Sequence, residues 1–246
     1  MLFSKEQIFL VTGASSGIGR AAAIMLNSQG ACVVGVARNR ERLEETKRKC
    51  NFPDNFFAEE KDLTQNINNL PQYVKALRDK YGRFSGMAYC AGIAELAPVK
   101  ILEYDKMKTL FDIDYFAPIF MTKGIVDKRN NAGKGTSIVV ISSYSAYSKS
   151  KGMTTYAGAK SALITSMKII SKEVVNSQIR INTISPSDVK TPLTQKSDFE
   201  RPDYEKKYPF GFADADDVAN LAIYLLSDKA KQITGQDYII DCNSEQ

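Results

Sequence analysis

Tyr156 and Lys160, in the run Tyr156-Ala157-Gly158-Ala159-Lys160, stand four positions apart. On a helix that spacing stacks them one turn above the other on a single face. A free phenol ionises near pH 10, about three units too high for easy acid–base work at neutrality. An ammonium held beside it favours the phenolate and draws that pKa toward the working range. The same spacing is common on solvated helices, so proton transfer follows only if other chemistry converges on the pair.

A second run with chemical potential is Gly13-Ala14-Ser15-Ser16-Gly17-Ile18-Gly19, directly after the apolar run Gln7–Thr12. Strand, glycine turn, helix is the context of a dinucleotide-binding loop. One glycine makes the turn, another lets the backbone approach the pyrophosphate, and a third lets the helix pack closely. The spacing is G-x-x-x-G-x-G and departs from the commoner G-x-G-x-x-G. The same residues satisfy G-x-S-x-G, a hydrolase nucleophile elbow on Ser15. That reading fails because the chain has no histidine to serve as base, and histidine metal sites and Ser-His-Asp triads fall with it.

The end of the next strand ordinarily reads the adenosine ribose, with a carboxylate for NAD or a cation for the 2′-phosphate of NADP. Here it runs Ala37-Arg38-Asn39-Arg40, with no acid before Glu41. Arg38 is therefore the expected fork onto phosphate, giving NADP(H) ahead of NAD(H). The competing reading makes Arg38 and Arg40 the start of a charged surface helix.

These groups must be positioned by an alternation of strands and helices. Strands are expected at Gln7–Thr12, Ala31–Ala37, Asn55–Lys61, Ser85–Cys90, Thr136–Ser142, Gln178–Ser185 and Tyr238–Asp241. Helices are expected at Arg20–Gln29 and Asn39–Cys50, through Ile67, Val74 and Tyr81, over Asp105–Val126 with a break at Pro118, from Tyr156 to about residue 176, and after Asp214. Alternation throughout predicts an α/β fold, a Rossmann-type doubly wound parallel sheet of about seven strands with helices on both faces. Pro192–Phe212 lacks periodicity and carries Phe199, Tyr204, Tyr208, Phe210 and Phe212, which reads as a substrate lid.

A chain of 246 residues with 43% hydrophobic and 25% charged residues fits one domain, residues 1–246. The net charge of +5 is dispersed and does not indicate nucleic acid. Cys32, Cys50, Cys90 and Cys242 lack metal or disulfide spacing. No apolar run is long enough to span a bilayer and no signal peptide is evident, so a cytoplasmic protein without membrane attachment is expected.

Taken together, these motifs resemble the short, single-domain branch of the short-chain dehydrogenase/reductase family over essentially the whole chain, and are similar to its 3-oxoacyl-carrier-protein reductases. Thr12 to Gly19 resembles its cofactor loop, and Ser143 followed by Tyr156-x-x-x-Lys160 resembles its active site. Asp62-Leu63, Ala91-Gly92, Ile179-Arg180-Ile181-Asn182, Pro186…Thr191 and Ile233-Thr234-Gly235-Gln236 fall where the family has counterparts. The resemblance implies that Tyr156 passes a proton to or from the substrate oxygen while hydride moves at the nicotinamide. Lys160 then lowers the tyrosine pKa and holds the nicotinamide ribose, and Ser143 hydrogen-bonds the substrate oxygen. Ser142 is disfavoured because adjacent strand residues face opposite ways. Asp62 is implied at the adenine, the backbone near Leu63, Ala91 and Gly92 along the adenosine, main-chain groups near Val189 at the carboxamide, and Thr191 near the nicotinamide and phosphates.

Four places depart from the family pattern. Asp114 stands where an Asn is usual, Tyr89-Cys90 precede Ala91-Gly92 where two Asn are usual, Ser187 follows Pro186 in place of Gly, and Cys242-Asn243 replace glycines. The usual Asn helps hold a water that links the lysine to solvent, partly through its carbonyl. Pro118 has no N–H to bond the Asp114 carbonyl, which is thereby left open to water. A carboxylate at that point is also placed to tie up the Lys160 ammonium. The expectation is a metal-free NADP(H)-dependent interconversion of a carbonyl and an alcohol, in a homodimer or homotetramer. The rivals are a catalytically silent dinucleotide-binding sensor or scaffold, and a sugar-nucleotide epimerase, which would need a substrate domain beyond Asp241.

Overall fold

The computed structural model describes residues 1–194, 206 and 208–243. Its elements run β1 (Ile8–Thr12), α1 (Gly17–Ser28), β2 (Cys32–Ala37), α2 (Arg40–Lys49), β3 (Phe56–Glu60), α3 (Leu70–Tyr81), β4 (Phe84–Tyr89), α4 (Tyr104–Phe111), α5 (Ala117–Val126), β5 (Ser137–Ile141), α6 (Ser145–Ser148), α7 (Thr154–Glu173), β6 (Arg180–Pro186), β7 (Val189–Lys190), β8 (Ala213–Asp214), α8 (Ala215–Leu226) and β9 (Asp237–Ile240). Seven strands form one parallel sheet in the order β3-β2-β1-β4-β5-β6-β9. The expected doubly wound sheet is the observed one.

The period-two alternation of β1 explains the two layers. Phe9 and Val11 face a core completed by Ala23 and Leu26 of α1 and Val218 and Ala222 of α8. Leu10 faces the other way, into Val74 and Leu77 of α3, Met121 and Ile125 of α5, and Leu163 and Met167 of α7. Strand order reverses between β1 and β4, the point at which open parallel sheets leave a crevice at their C-terminal ends.

One expected element differs in detail. The helix anticipated over Asp105–Val126 is two helices joined by a π turn, Asp112–Phe116. Pro118 lacks the N–H that would continue the ladder, and the bonding slips so that the Ala117 N–H reaches the Asp112 carbonyl. The Ile113 carbonyl then accepts from the buried Tyr89 hydroxyl at 2.9 Å. This slip presents Asp114 to the interior, where it is fully buried.

Of the segment Pro192–Phe212, Phe199 and Tyr204 lie outside the described residues. The ends of the segment are tied by the small parallel ladder of β7 and β8, which pairs Val189 with Ala213 and Lys190 with Asp214. Tyr208 is buried, sets its ring 4.8 Å from Phe212, and gives its hydroxyl to Asp188. Phe210 is exposed.

Candidate active site

At the C-terminal end of the sheet lies a cavity of about 450 Å³. Gly13, Ser15, Ser16, Gly17, Ile18 and Gly19 form one wall, and Asp62, Leu63, Ala91, Gly92 and Thr191 form much of the rest. Gly13 has φ +67°, and a β-carbon there would lie 2.9 Å from the Ala91 nitrogen. A β-carbon on Gly19 would lie 2.4 Å from the Gly13 carbonyl oxygen. Both glycines are therefore required by contact, and Gly13 by its backbone angle as well. The turn also hands the chain to the N-terminus of α1, whose amide groups face the cavity side.

The two halves of this wall are clasped by Thr12, the first residue of the expected loop. The buried Thr12 hydroxyl oxygen accepts from the backbone N–H of Cys90 at 3.0 Å and of Ala91 at 3.1 Å. Its position at the end of a strand facing a second strand end is the signal that could have found this clasp. Asp62 accepts from the N–H and hydroxyl of Thr64 at 2.9 and 2.7 Å. Burial alone would lift the Asp62 carboxyl, but the two Thr64 bonds and the charge of Arg38 hold it below its ordinary value.

Arg38 and Arg40, equivalent in the sequence, are separated by the fold. Arg40 bonds Glu44 at 2.9 Å and the Ala58 carbonyl at 2.7 Å. Arg38 lines the cavity together with Arg42 and Lys61. Arg42 lies one helical turn beyond Arg38 and Lys61 immediately precedes Asp62; that spacing is where a sequence reading could have found this cluster.

At the other end, the cavity wall at Gly92 abuts Asp114 and Lys160. A β-carbon on Gly92 would lie 2.5 Å from Asp114 Oδ1 and 3.6 Å from Lys160 Nζ. Tyr156 and Lys160 occupy one face of α7, both buried, with Nζ 5.7 Å from the centre of the phenol ring. Lys160 Nζ donates to the Ile141 carbonyl at 3.1 Å and lies 2.9 Å from Asp114 Oδ1. Ser143 sits past the end of β5, and its hydroxyl donates to the Ser145 hydroxyl at 3.1 Å. Ser142 points away, its hydroxyl bonded to the Lys160 carbonyl at 3.2 Å. The structure thus brings Ser143, Tyr156, Lys160 and Asp114 together.

The electrostatics are opposed at every group. Burial pushes the Tyr156 phenol up, Lys160 and Ser143 pull it down, and Asp114 and Asp188 push it up again; the net direction is upward. Burial alone would depress Lys160, but Asp114 and Tyr156 reverse this and hold it above the ordinary lysine value. Asp188, after β6, is a carboxylate that the sequence reading passed over. Val189 is buried in the core beside α8, and its carbonyl accepts the Thr194 hydroxyl. Its side chain does not reach the cavity wall.

The family model described as enoyl-(acyl carrier protein) reductase matches residues 13–242. The chain belongs to the short-chain dehydrogenase/reductase family. Among the relatives of this short-chain dehydrogenase/reductase is a D-threitol dehydrogenase from Mycolicibacterium smegmatis, 30% identical over 96% of this chain and 91% of the relative. The 3-oxoacyl-[acyl-carrier-protein] reductase of Thermotoga maritima is 27% identical over 96% of each chain. A solved short-chain type dehydrogenase/reductase from Mycobacterium ulcerans superposes with a TM-score of 0.89 at 28% identity, over 98% of this chain and 90% of that one. The protein is an oxidoreductase of a family that binds a nicotinamide dinucleotide, and the glycine cradle, where an added β-carbon would strike backbone, fits such a group.

Proposed function

We propose that this protein is an NADP(H)-dependent reductase of a ketone or aldehyde, or the reverse alcohol dehydrogenase, using Ser143, Tyr156 and Lys160. One observation carries the reading: a buried Tyr–Lys pair with Ser143 lies behind Gly92, itself part of the glycine-walled cavity, and Arg38, Arg42 and Lys61 line the cavity itself. A nicotinamide cofactor, when bound, supplies or accepts the hydride. The protein's part is to hold the substrate oxygen between the Ser143 and Tyr156 hydroxyls and to move one proton. In reduction the Tyr156 O–H gives its proton to the oxygen that becomes the alcohol; in oxidation the phenolate takes it back.

Three cations along the cavity and no acid at the end of β2 support a 2′-phosphate over a free 2′-hydroxyl. Lys160 has three N–H donors; the Ile141 carbonyl takes one and the ammonium pairs with Asp114, and a remaining donor suits a ribose hydroxyl. The substrate is a small carbonyl or alcohol, the class printed in the name of the D-threitol relative. The whole chain acts as one domain, with 192–212 as its lid, in a homo-oligomer.

Titration with NADPH and with NADH, followed by nicotinamide fluorescence, tests the cofactor. Tighter NADPH binding is expected, and a carbonyl screen then reads NADPH consumption. Preferential NADH binding would overturn the role given to Arg38. Binding without turnover of any carbonyl or alcohol would favour a silent dinucleotide-binding protein, for which the Asp114–Lys160 pair is the supporting observation.

A further inference from the structure

Lys160 is expected to place a positive charge beside the phenol, yet the fold supplies a counter-charge directly behind it. Asp114 comes from the π turn between α4 and α5, is fully buried, and sets Oδ1 2.9 Å from Lys160 Nζ. Its other oxygen accepts from the Ile93 N–H at 3.3 Å, so the carboxylate is fixed from two sides. The space it occupies exists because residue 92 is glycine.

We propose that Asp114 is a positioning residue that cancels the charge of Lys160 and keeps Tyr156 a protonated acid across neutral pH. The site is thereby tuned to give a proton to a carbonyl oxygen rather than to take one from an alcohol. The inference rests on the reading of Tyr156 as the proton-transfer group.

The charge count decides the direction. Burial raises the Asp114 carboxyl against the pull of Lys160 and the Ile93 N–H. At 2.9 Å Asp114 and Lys160 form a pair that is neutral in net charge when it holds one proton, whichever atom carries it. With asparagine at 114 the same place would carry a full positive charge. A cation at this range favours the phenolate, so Asp114 removes the influence that would otherwise draw the tyrosine down. The other groups facing the pair do not restore it. Cys90, beside Lys160 at the end of β4, is pushed by burial up to about 12 and is neutral. Tyr89, beside Asp114 on the same strand, is raised well above its ordinary value by burial and is also neutral. Asp188, from the turn after β6, acts on Tyr156 in the same sense as Asp114. Ser143 acts on the phenol in the opposite sense and carries no charge. The equilibrium between carbonyl and alcohol belongs to the substrate; Asp114 sets the pH at which each direction runs fastest.

The test is a near-ultraviolet phenolate titration of the whole protein, read as the difference from the matching Tyr156→Phe protein. Asp114→Asn preserves shape and an acceptor for the Ile93 N–H, and Asp114→Ser serves if the first variant fails to fold. The Tyr156 midpoint is expected to fall by about one unit or more in either variant. The alkaline limb of carbonyl reduction should move to lower pH by the same amount. An unchanged or raised midpoint overturns the proposal, and a loss of thermal stability alone would mark Asp114 as structural. Because the titration needs neither substrate nor turnover, its failure is separable from failure of the reductase reading, which the carbonyl screen reports.

Discussion

Gly92 and Asp114, one at the end of a strand and the other on a π turn, are in mutual contact so tight that position 92 admits no side chain. A β-carbon there would stand 2.5 Å from Asp114 Oδ1, well inside van der Waals contact. Gly92→Ala is therefore expected to displace Asp114 and lower stability by about 1–3 kcal/mol, the usual cost of overpacking. The double variant Gly92→Ala/Asp114→Ala should recover most of that loss, because the obstructing carboxylate is gone. Thermal unfolding of the four proteins forms the cycle. Additive losses would show that the two residues are not coupled.

Tyr156→Phe removes one oxygen and leaves the buried ring in place. Turnover should fall by roughly 10²–10⁴-fold, the range for loss of a general acid. Dinucleotide affinity and melting temperature should be nearly unchanged. A comparable fall in dinucleotide affinity, measured by nicotinamide fluorescence, would mean that the hydroxyl serves binding.

Arg38 and Arg40 give a matched pair of variants. Arg38 lines the cavity and bears on Asp62, whereas Arg40 is tied to Glu44 and the Ala58 carbonyl. Arg38→Ala should weaken NADPH binding by about 1.5–3 kcal/mol, the worth of a charge-assisted hydrogen bond, and leave NADH binding almost unchanged. Arg40→Ala should leave the NADPH-to-NADH ratio where it was. Equal losses for both cofactors on Arg38→Ala would remove the case for 2′-phosphate recognition.

Arg180 on β6 is a buried guanidinium with a structural task. It donates to the carbonyls of Leu225 at 2.6 Å and Ser227 at 3.0 Å, closing the C-terminal end of α8. Arg180→Met fills the space and removes the charged donor, leaving the Leu225 carbonyl to the Ser137 hydroxyl and the Ser227 carbonyl to the Ala230 N–H. A loss of about 1.5–3 kcal/mol is expected, the worth of hydrogen bonds made by a charged group. Chemical denaturation reads it, and an unchanged midpoint would show that water replaces the guanidinium.

The sheet was legible because buried parallel strands are continuously apolar, as in Cys32–Ala37, and because Gly13, Gly17 and Gly30 punctuate the chain where it turns. Tyr156 and Lys160 were legible for the same kind of reason: their relation is local and helical. What could not be read is what lies across the fold. The i,i+4 rule does not say that a π turn will aim Asp114 at Lys160, and nothing local links Thr12 to Ala91 or separates Arg38 from Arg40. The missing bond at Pro118 was visible in the sequence, but the slip of register it causes is a property of the packed helix.

The clasp between Thr12 and Ala91 joins residues 79 positions apart in the chain, and β1 can only take its place once β4 exists to flank it. On a ribosome, the glycine-turn side of the cavity has emerged when residue 92 does, while Asp114, Lys160 and Thr191 are all still to come. Asp114 then emerges ahead of Lys160, its counter-ion. A dinucleotide that engages the early half would act as a template during synthesis, in the way that any ligand favours the forms that bind it. Long-range parallel pairing folds slowly, so cofactor supply during translation is a lever on how much of this protein reaches its native state.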